Sequence, residues 1–115
     1  MKHTPENKVK KALKSFLDSL KPEMCYYSAS AGAFSVGGVS DIICCYRGCF
    51  LAIEVKAPNR RTESARGLSA LQLAFFKQVV SAGGAAIVFD GGLDDWNDLR
   101  NWINSVNSFV NEAGV

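Results

Sequence analysis

The central feature of the sequence is the segment Gly38-Val39-Ser40-Asp41-Ile42-Ile43-Cys44-Cys45-Tyr46-Arg47-Gly48-Cys49-Phe50-Leu51-Ala52-Ile53-Glu54-Val55-Lys56. Two apolar runs rich in β-branched, aromatic and cysteine residues flank Arg47-Gly48. A glycine can adopt the positive φ that a tight turn requires. The pattern therefore predicts a β-hairpin with its turn at these two residues.

The turn determines which residues face each other across the hairpin. A two-residue turn at Arg47-Gly48 places Asp41 directly opposite Glu54, and a four-residue turn gives the same register, whereas a three-residue turn would shift it. Because side chains alternate between faces, Lys56 shares the face of Glu54, and Val55 offers that face only its backbone. The intervening pairs are Tyr46 with Cys49, Cys45 with Phe50 and Ile43 with Ala52.

Two opposed carboxylates are unfavourable in an apolar hairpin, because the Cβ atoms of directly opposed residues lie only about 5 Å apart. A divalent cation would offset the repulsion between Asp41 and Glu54, and carboxylate oxygens suit Mg²⁺, with Mn²⁺ able to substitute. Lys56 on the same face could orient or deprotonate an attacking water. The hairpin therefore predicts a metal-dependent hydrolytic site.

At these residues the chain resembles the VRR-NUC (virus-type replication-repair nuclease) family of the PD-(D/E)xK nuclease superfamily. Gly38-Val39-Ser40-Asp41 matches the family's G-x-P-D, with serine in place of the usual proline, and Glu54-Val55-Lys56 matches its E-x-K. Ser69-Ala70-Leu71-Gln72 matches the downstream helix that carries a glutamine, and Glu6 fits the family's N-terminal acidic position. The resemblance covers about residues 4 to 90.

The resemblance implies a restriction-endonuclease-like core and a Mg²⁺-dependent endonuclease that cuts branched DNA, such as four-way junctions, as a phage-encoded homodimer in the cytoplasm of a bacterial host. It implies a metal held by Asp41, Glu54 and the Val55 carbonyl, and catalytic roles for Asp41, Glu54, Lys56, Gln72 and Glu6. Two alternatives stay open. One is a flap endonuclease or exonuclease on the same fold, and the other is a non-catalytic DNA-binding module.

Composition is that of one globular domain spanning residues 1–115, with 48% hydrophobic and 21% charged residues. No apolar run reaches the length of a membrane span, and the N-terminus lacks the apolar region of a signal peptide. The turn after residues 85–89 lacks the G-x-G-x-x-G order of a dinucleotide fold, so no nucleotide cofactor is expected. These features favour a soluble intracellular protein.

The remaining elements predict an α/β fold. Thr4-Pro5 begins a first helix with an apolar stripe, and Ser69 with Gln72 has the spacing of a capping box at the start of a second. Residues 85–89 form an apolar run typical of a buried strand that lies parallel to the Glu54 strand. Asp94 or Asp95 begins a last helix, whose broad apolar face covers the sheet or forms a dimer surface. We expect a central mixed sheet flanked by three helices.

Positive charge is concentrated in the first part of the chain, where residues 1–66 carry 11 Lys and Arg against 6 Asp and Glu. The loop after Lys56 contains three arginines that could contact phosphates or be solvated, namely Arg60, Arg61 and Arg66. The lysines of the first helix are interpreted as a solvated surface: Lys8, Lys10, Lys11 and Lys14. The small-residue loop at 29–38 could cover a DNA strand, with Phe34 as a wedge or a buried anchor.

Two of the candidate site residues each have two explanations. Gln72 either closes the start of its helix or points into the site, and Glu6 either complements a helix dipole or lies near the metal.

The four cysteines lack metal-binding spacing, and His3 is the only histidine, so a zinc site is not expected. The cysteines are interpreted as reduced core or strand residues: Cys25, Cys44, Cys45 and Cys49.

Overall fold

The computed structural model of the protein describes residues 4–29, 37–58 and 64–112. It contains three helices and four strands in the order α1 (Pro5–Asp18), β1 (Met24–Ser28), β2 (Ile42–Tyr46), β3 (Cys49–Val55), α2 (Ala70–Ser81), β4 (Ala85–Phe89) and α3 (Leu93–Glu112). A short turn, Ser64–Gly67, precedes α2, and its residues Ala65 and Arg66 have positive φ.

The four strands form one mixed sheet in the order β1-β2-β3-β4. β2 runs antiparallel to both β1 and β3, and β4 runs parallel to β3 after the crossover through α2. The predicted α/β architecture, with a mixed sheet and three helices, is therefore confirmed. None of the helices in the described part of the chain combines the length and the apolar composition that a membrane span needs.

The hairpin has the predicted turn and register. Arg47 and Gly48 both have positive φ, at 50° and 89°, which is the backbone of a type I′ turn and matches the twist of the two strands. The partners across the hairpin are Tyr46 with Cys49, Cys45 with Phe50, Cys44 with Leu51, Ile43 with Ala52 and Ile42 with Ile53. All three intervening pairs predicted from the sequence are present.

The core lies between α1, α3 and one face of the sheet. Trp96 on α3 packs edge to face against Phe16 and Phe89, with ring centroids 5.5 and 4.8 Å apart. The apolar face of α3 therefore covers the sheet, while Phe109 on the same helix stays 64% exposed. The most deeply buried apolar side chains include Leu13, Leu17, Ile42, Leu51, Ile53, Phe89 and Leu99.

The start of α3 differs from the prediction. The helix begins at Leu93, and the Trp96 N–H donates to the carbonyl of Gly92. Asp95 does not cap the helix, because its side chain is only 1% exposed and its Oδ2 accepts the backbone N–H of Asp90 at 2.7 Å. The predicted helix start at Asp94 or Asp95 is therefore wrong by one or two residues.

Candidate active site

Asp41 lies one residue before β2, where the hairpin register would pair it with Glu54. Its Oδ2 accepts the backbone N–H of Val55 at 2.8 Å, and its own carbonyl accepts the N–H of Ala29 at 2.7 Å. The Asp41 carboxylate is therefore hydrogen-bonded to β3, although Asp41 itself lies outside β2. This contact continues the predicted register and brings the two carboxylates together.

Glu54 is the most buried charged group of the site, with 4% of the residue exposed. Its Oε2 accepts a hydrogen bond from Gln72 Nε2 at 3.0 Å and lies 3.8 Å from Lys56 Nζ. Its Oε1 is buried without a hydrogen-bond partner among the described residues. Burial first, and then the nearby Asp41 carboxylate, raise the pKa of Glu54 to about 8, while Lys56 opposes the shift.

Gln72 serves both of the roles considered for it. Its Oε1 accepts the backbone N–H of Ser69 at 2.8 Å while its own N–H donates to Ser69 Oγ at 3.1 Å, which is the predicted capping box. The same Oε1 accepts from Lys56 Nζ at 3.2 Å, and Nε2 donates to Glu54. The Gln72 side chain therefore caps the start of α2 and also orients Lys56 and Glu54.

Gly38 allows the segment before Asp41 to approach α2 closely. Its φ is +88°, and a Cβ at this position would lie 2.6 Å from the carbonyl oxygen of Leu71. Only glycine combines this φ with this space. The contact brings the start of β2 beside the first turn of α2, where Gln72 lies.

Ser40, where the resemblance expects proline, is completely buried, and its Oγ has no hydrogen-bond partner in the described segments. A buried hydroxyl without a partner costs about 1–3 kcal/mol. Ser40 therefore occupies its position next to Asp41 at a cost in stability.

Lys10 was predicted to belong to a solvated helix surface, and that prediction is wrong. Its Nζ lies 3.8 Å from Asp41 Oδ1, and only 21% of its side chain is exposed. The signal was present in the sequence, because Lys10 precedes Leu13 by three residues and Leu17 by seven and so shares their buried face. Each carboxylate of the site thus has its own lysine.

Glu6 is half-buried on α1, one helical turn before Lys10. No hydrogen bond or ion pair joins it to either carboxylate in the ranges that the structure describes. The same residues contain no group of three or more His, Cys, Asp or Glu side chains arranged for a metal ion. The side-chain donors brought together are therefore Asp41 and Glu54, and the predicted role of Glu6 stays a prediction.

Arg66 has a structural role that the sequence did not suggest. Its Nη2 donates to the buried Asp95 carboxylate at 2.9 Å and to the carbonyl of Val88 at 3.3 Å. These contacts join the turn before α2 to β4 and α3. The predicted DNA contact by Arg66 stays a prediction, and Arg60, Arg61 and Phe34 lie outside the described residues.

The oxygen atoms of Asp41 and Glu54 have the chemistry that Mg²⁺ requires of its ligands. Two carboxylates provide hard oxygen ligands, and the buried Oε1 of Glu54 has no protein partner among the described residues. Asp41 Oδ1 does not take part in the backbone contact made by Oδ2, and it is the carboxylate oxygen that faces Lys10. The residues present fit a divalent cation, which would neutralise the carboxylate pair.

Comparison with known proteins adds no relative. No protein-family model matches the chain, and none of the curated proteins or solved structures compared with it matches either. The resemblance given above therefore depends on the motif residues alone.

Proposed function

We propose that this protein is a Mg²⁺-dependent deoxyribonuclease that hydrolyses phosphodiester bonds. The observation that carries the proposal is the convergence of Asp41, Glu54, Lys56 and Gln72 at one end of the hairpin. A buried carboxylate with a raised pKa and a lysine beside it, such as Glu54 with Lys56, is characteristic of functional sites. The α/β architecture is compatible with a restriction-endonuclease-like core.

The cation would be held by Asp41, by Glu54 and, as the resemblance implies, by the carbonyl of Val55. When bound, Mg²⁺ supplies Lewis-acid activation of a water and of the scissile phosphate. Glu54 must lose its proton to become a ligand, so its raised pKa couples cation binding to proton release. This coupling makes the cation site dependent on pH near neutrality.

Lys56 is the residue that acts on the substrate. Gln72 and Glu54 restrict its ammonium group to the carboxylate site. From there it can orient the attacking water or stabilise charge on the phosphoryl oxygens. Gln72 is a positioning residue in this scheme, because it contacts Lys56 and Glu54 together.

The proposed substrate is branched DNA, with the four-way junction first among the candidates, and the proposed assembly is a homodimer. Both follow from the family resemblance. A two-fold dimer would present two sites to the two equivalent strands of a junction. Excess positive charge in residues 1–66 supports a nucleic-acid substrate.

The test is cleavage of labelled four-way junction, flap, nicked and linear duplex DNA, each with Mg²⁺, Mn²⁺ or EDTA. Wild type is compared with Asp41→Asn and Lys56→Met, and with Lys11→Met as a control on the exposed face of α1. We expect metal-dependent cleavage of the junction that both site variants lose and the control keeps.

The other outcomes separate the alternatives. Cleavage confined to flaps or ends would retain the site and replace the junction with another substrate. DNA binding without cleavage under any metal, unchanged by the site variants, would reject the enzyme in favour of a DNA-binding module.

A further inference from the structure

A pair of cysteines lies on the side of the sheet opposite the main core. Cys25 on β1 and Cys45 on β2 are directly opposed partners in the antiparallel register, and both are exposed. Their neighbours on this face, Tyr27 and Phe50, are 68% and 41% exposed. Solvent and small reagents can therefore reach both sulfur atoms.

The backbone hydrogen bonds determine the geometry of this pair. The Arg47 N–H donates to the carbonyl of Glu23, and the Ala29 N–H donates to that of Asp41. In an antiparallel pair of strands, hydrogen-bonded and non-hydrogen-bonded residue pairs alternate. Both of these pairs lie an even number of residues along the strands from Cys25 and Cys45, so the two cysteines also form a hydrogen-bonded pair. Cα atoms at such positions are about 5.5 Å apart, which lies within the range of roughly 4.4–6.8 Å that a disulfide spans.

The other two cysteines belong to a different environment. Cys44 is buried in the core, where burial first, and then Cys25 and Cys45, raise the pKa of its thiol to about 12. Cys49 is opposite Tyr46 and shares the core face of the sheet. Neither residue faces the exposed pair, because neighbouring positions along a strand point to opposite sides.

We propose that Cys25 and Cys45 form a reversible dithiol–disulfide pair that reacts with low-molecular-weight disulfides. One cysteine thiolate attacks a sulfur of the small disulfide, which expels a thiolate and leaves a mixed disulfide. The second cysteine thiolate then attacks the protein sulfur of that mixed disulfide and expels the second small thiolate. The two protein thiols are oxidised, the small disulfide is reduced to two thiols, and the two protons pass to those products.

The position of the pair also predicts that the bond is easily reduced. Cβ atoms at directly opposed positions are about 4.5–5.5 Å apart, with hydrogen-bonded pairs at the wider end, whereas a relaxed disulfide needs roughly 3.5–4.5 Å. The strands must move closer to form the bond. Strained and exposed disulfides have the more oxidising potentials of reversible pairs.

The experiment treats the folded full-length chain with oxidised glutathione and then quenches free thiols with an alkylating agent. We expect an intact mass lower by two hydrogen atoms before alkylation, a peptide linking Cys25 to Cys45 in the quenched sample, and recovery of both thiols in reduced glutathione. Cys49→Ser should react like the wild type. Cys25→Ser should stop at one glutathione on Cys45.

Cys44 serves as the internal check on folding, because it should stay unmodified until the protein is denatured. Three outcomes would overturn the proposal. They are stable glutathione adducts on both Cys25 and Cys45, a disulfide crosslink between two chains, and an intact mass that does not fall by two hydrogen atoms although Cys44 stays protected. None of these measurements depends on nuclease activity or on metal binding.

Discussion

Asp41 accepts the backbone N–H of Val55 through Oδ2 at 2.8 Å, so a residue outside β2 is attached to the strand that carries Glu54. The contact uses one carboxylate oxygen and leaves Oδ1 on the side of Lys10. Asp41 thus has a structural role and a proposed metal-binding role that different substitutions can separate.

Asp41→Asn should keep the structural role and lose the other. An amide oxygen can still accept the Val55 N–H, so we expect the free energy of unfolding to change by less than about 1 kcal/mol. Mg²⁺ affinity should fall by about tenfold or more, because the site loses one of two anionic ligands. Urea unfolding without metal and a Mg²⁺ titration measure the two effects.

Asp41→Ala is the matched comparison, since it removes the acceptor as well. Leaving the Val55 N–H without its partner should cost about 1–3 kcal/mol. Equal Mg²⁺ affinity in the wild type and the Asn variant would remove Asp41 from the proposed site.

The raised pKa of Glu54 predicts how stability depends on pH without metal. The folded value is about 8 against an ordinary value of 4.5, so the folded protein binds the proton more tightly than the unfolded chain. The stabilisation is complete below about pH 4.5 and is lost as the pH rises towards about 8. Glu54→Gln should remove this loss and be more stable than the wild type by about 1–3 kcal/mol at high pH.

Thermal unfolding from about pH 5 to pH 9 in EDTA tests this prediction. A wild-type midpoint that does not fall relative to Glu54→Gln over this range would contradict it. In the wild type, Mg²⁺ binding at neutral pH should release a proton from Glu54. Calorimetry in two buffers with different ionisation enthalpies would detect that release.

Lys10 should compete with a cation for Asp41. Lys10→Met removes a positive charge whose Nζ lies 3.8 Å from Asp41 Oδ1. We expect Mg²⁺ to bind about two- to tenfold more tightly to this variant, as expected for a partly exposed ion pair. Lys11→Met, on the exposed side of the same helix, gives the same net charge as Lys10→Met and should bind Mg²⁺ with the affinity of the wild type. Identical behaviour of the two variants would show that Lys10 acts only through net charge.

Gly38→Ala should damage both the fold and the site. The new Cβ would lie 2.6 Å from the Leu71 carbonyl oxygen, and φ at this residue is +88°. We expect a loss of about 2–4 kcal/mol of stability, from backbone strain and the displacement of α2.

Gly48→Ala is the control for backbone strain alone, because its φ is +89° and nothing lies within 4 Å of an added Cβ. It should lose only about 1–2 kcal/mol. Chemical denaturation of both variants tests the comparison, and equal losses would mean that the contact with Leu71 does not matter.

The two roles of Gln72 can be separated by a pair of substitutions. Gln72→Glu keeps an acceptor for the Ser69 N–H and preserves the capping box, but it replaces the amide donor to Glu54 with a further carboxylate. We expect α2 to stay folded and DNA cleavage to fall by about tenfold or more.

Ser69→Ala removes the cap and should cost about 1 kcal/mol of stability while leaving cleavage per folded molecule unchanged. Circular dichroism and cleavage rates on the same preparations distinguish the two effects. A Gln72→Glu variant with wild-type cleavage would limit Gln72 to the helix cap.

Features set by local rules were predictable from the sequence. The turn at Arg47-Gly48 and the side-chain period of two predicted the register, and with it the approach of Asp41, Glu54 and Lys56. The capping box of α2 was equally local, because its donors and acceptors lie within one helical turn. Such features depend on neighbours in sequence or on pairing across a short turn.

Only the tertiary structure decided which distant side chains meet. The contact of Lys10 with Asp41 depends on how α1 packs against the sheet, and that of Arg66 with Asp95 joins segments that share no local pattern. The sequence left open whether Gln72 points into the site, and its contacts with Glu54 and Lys56 depend on how α2 packs beside the sheet, where Gly38 approaches Leu71. These contacts follow from the packing of whole elements, which local periodicity and turn chemistry do not specify.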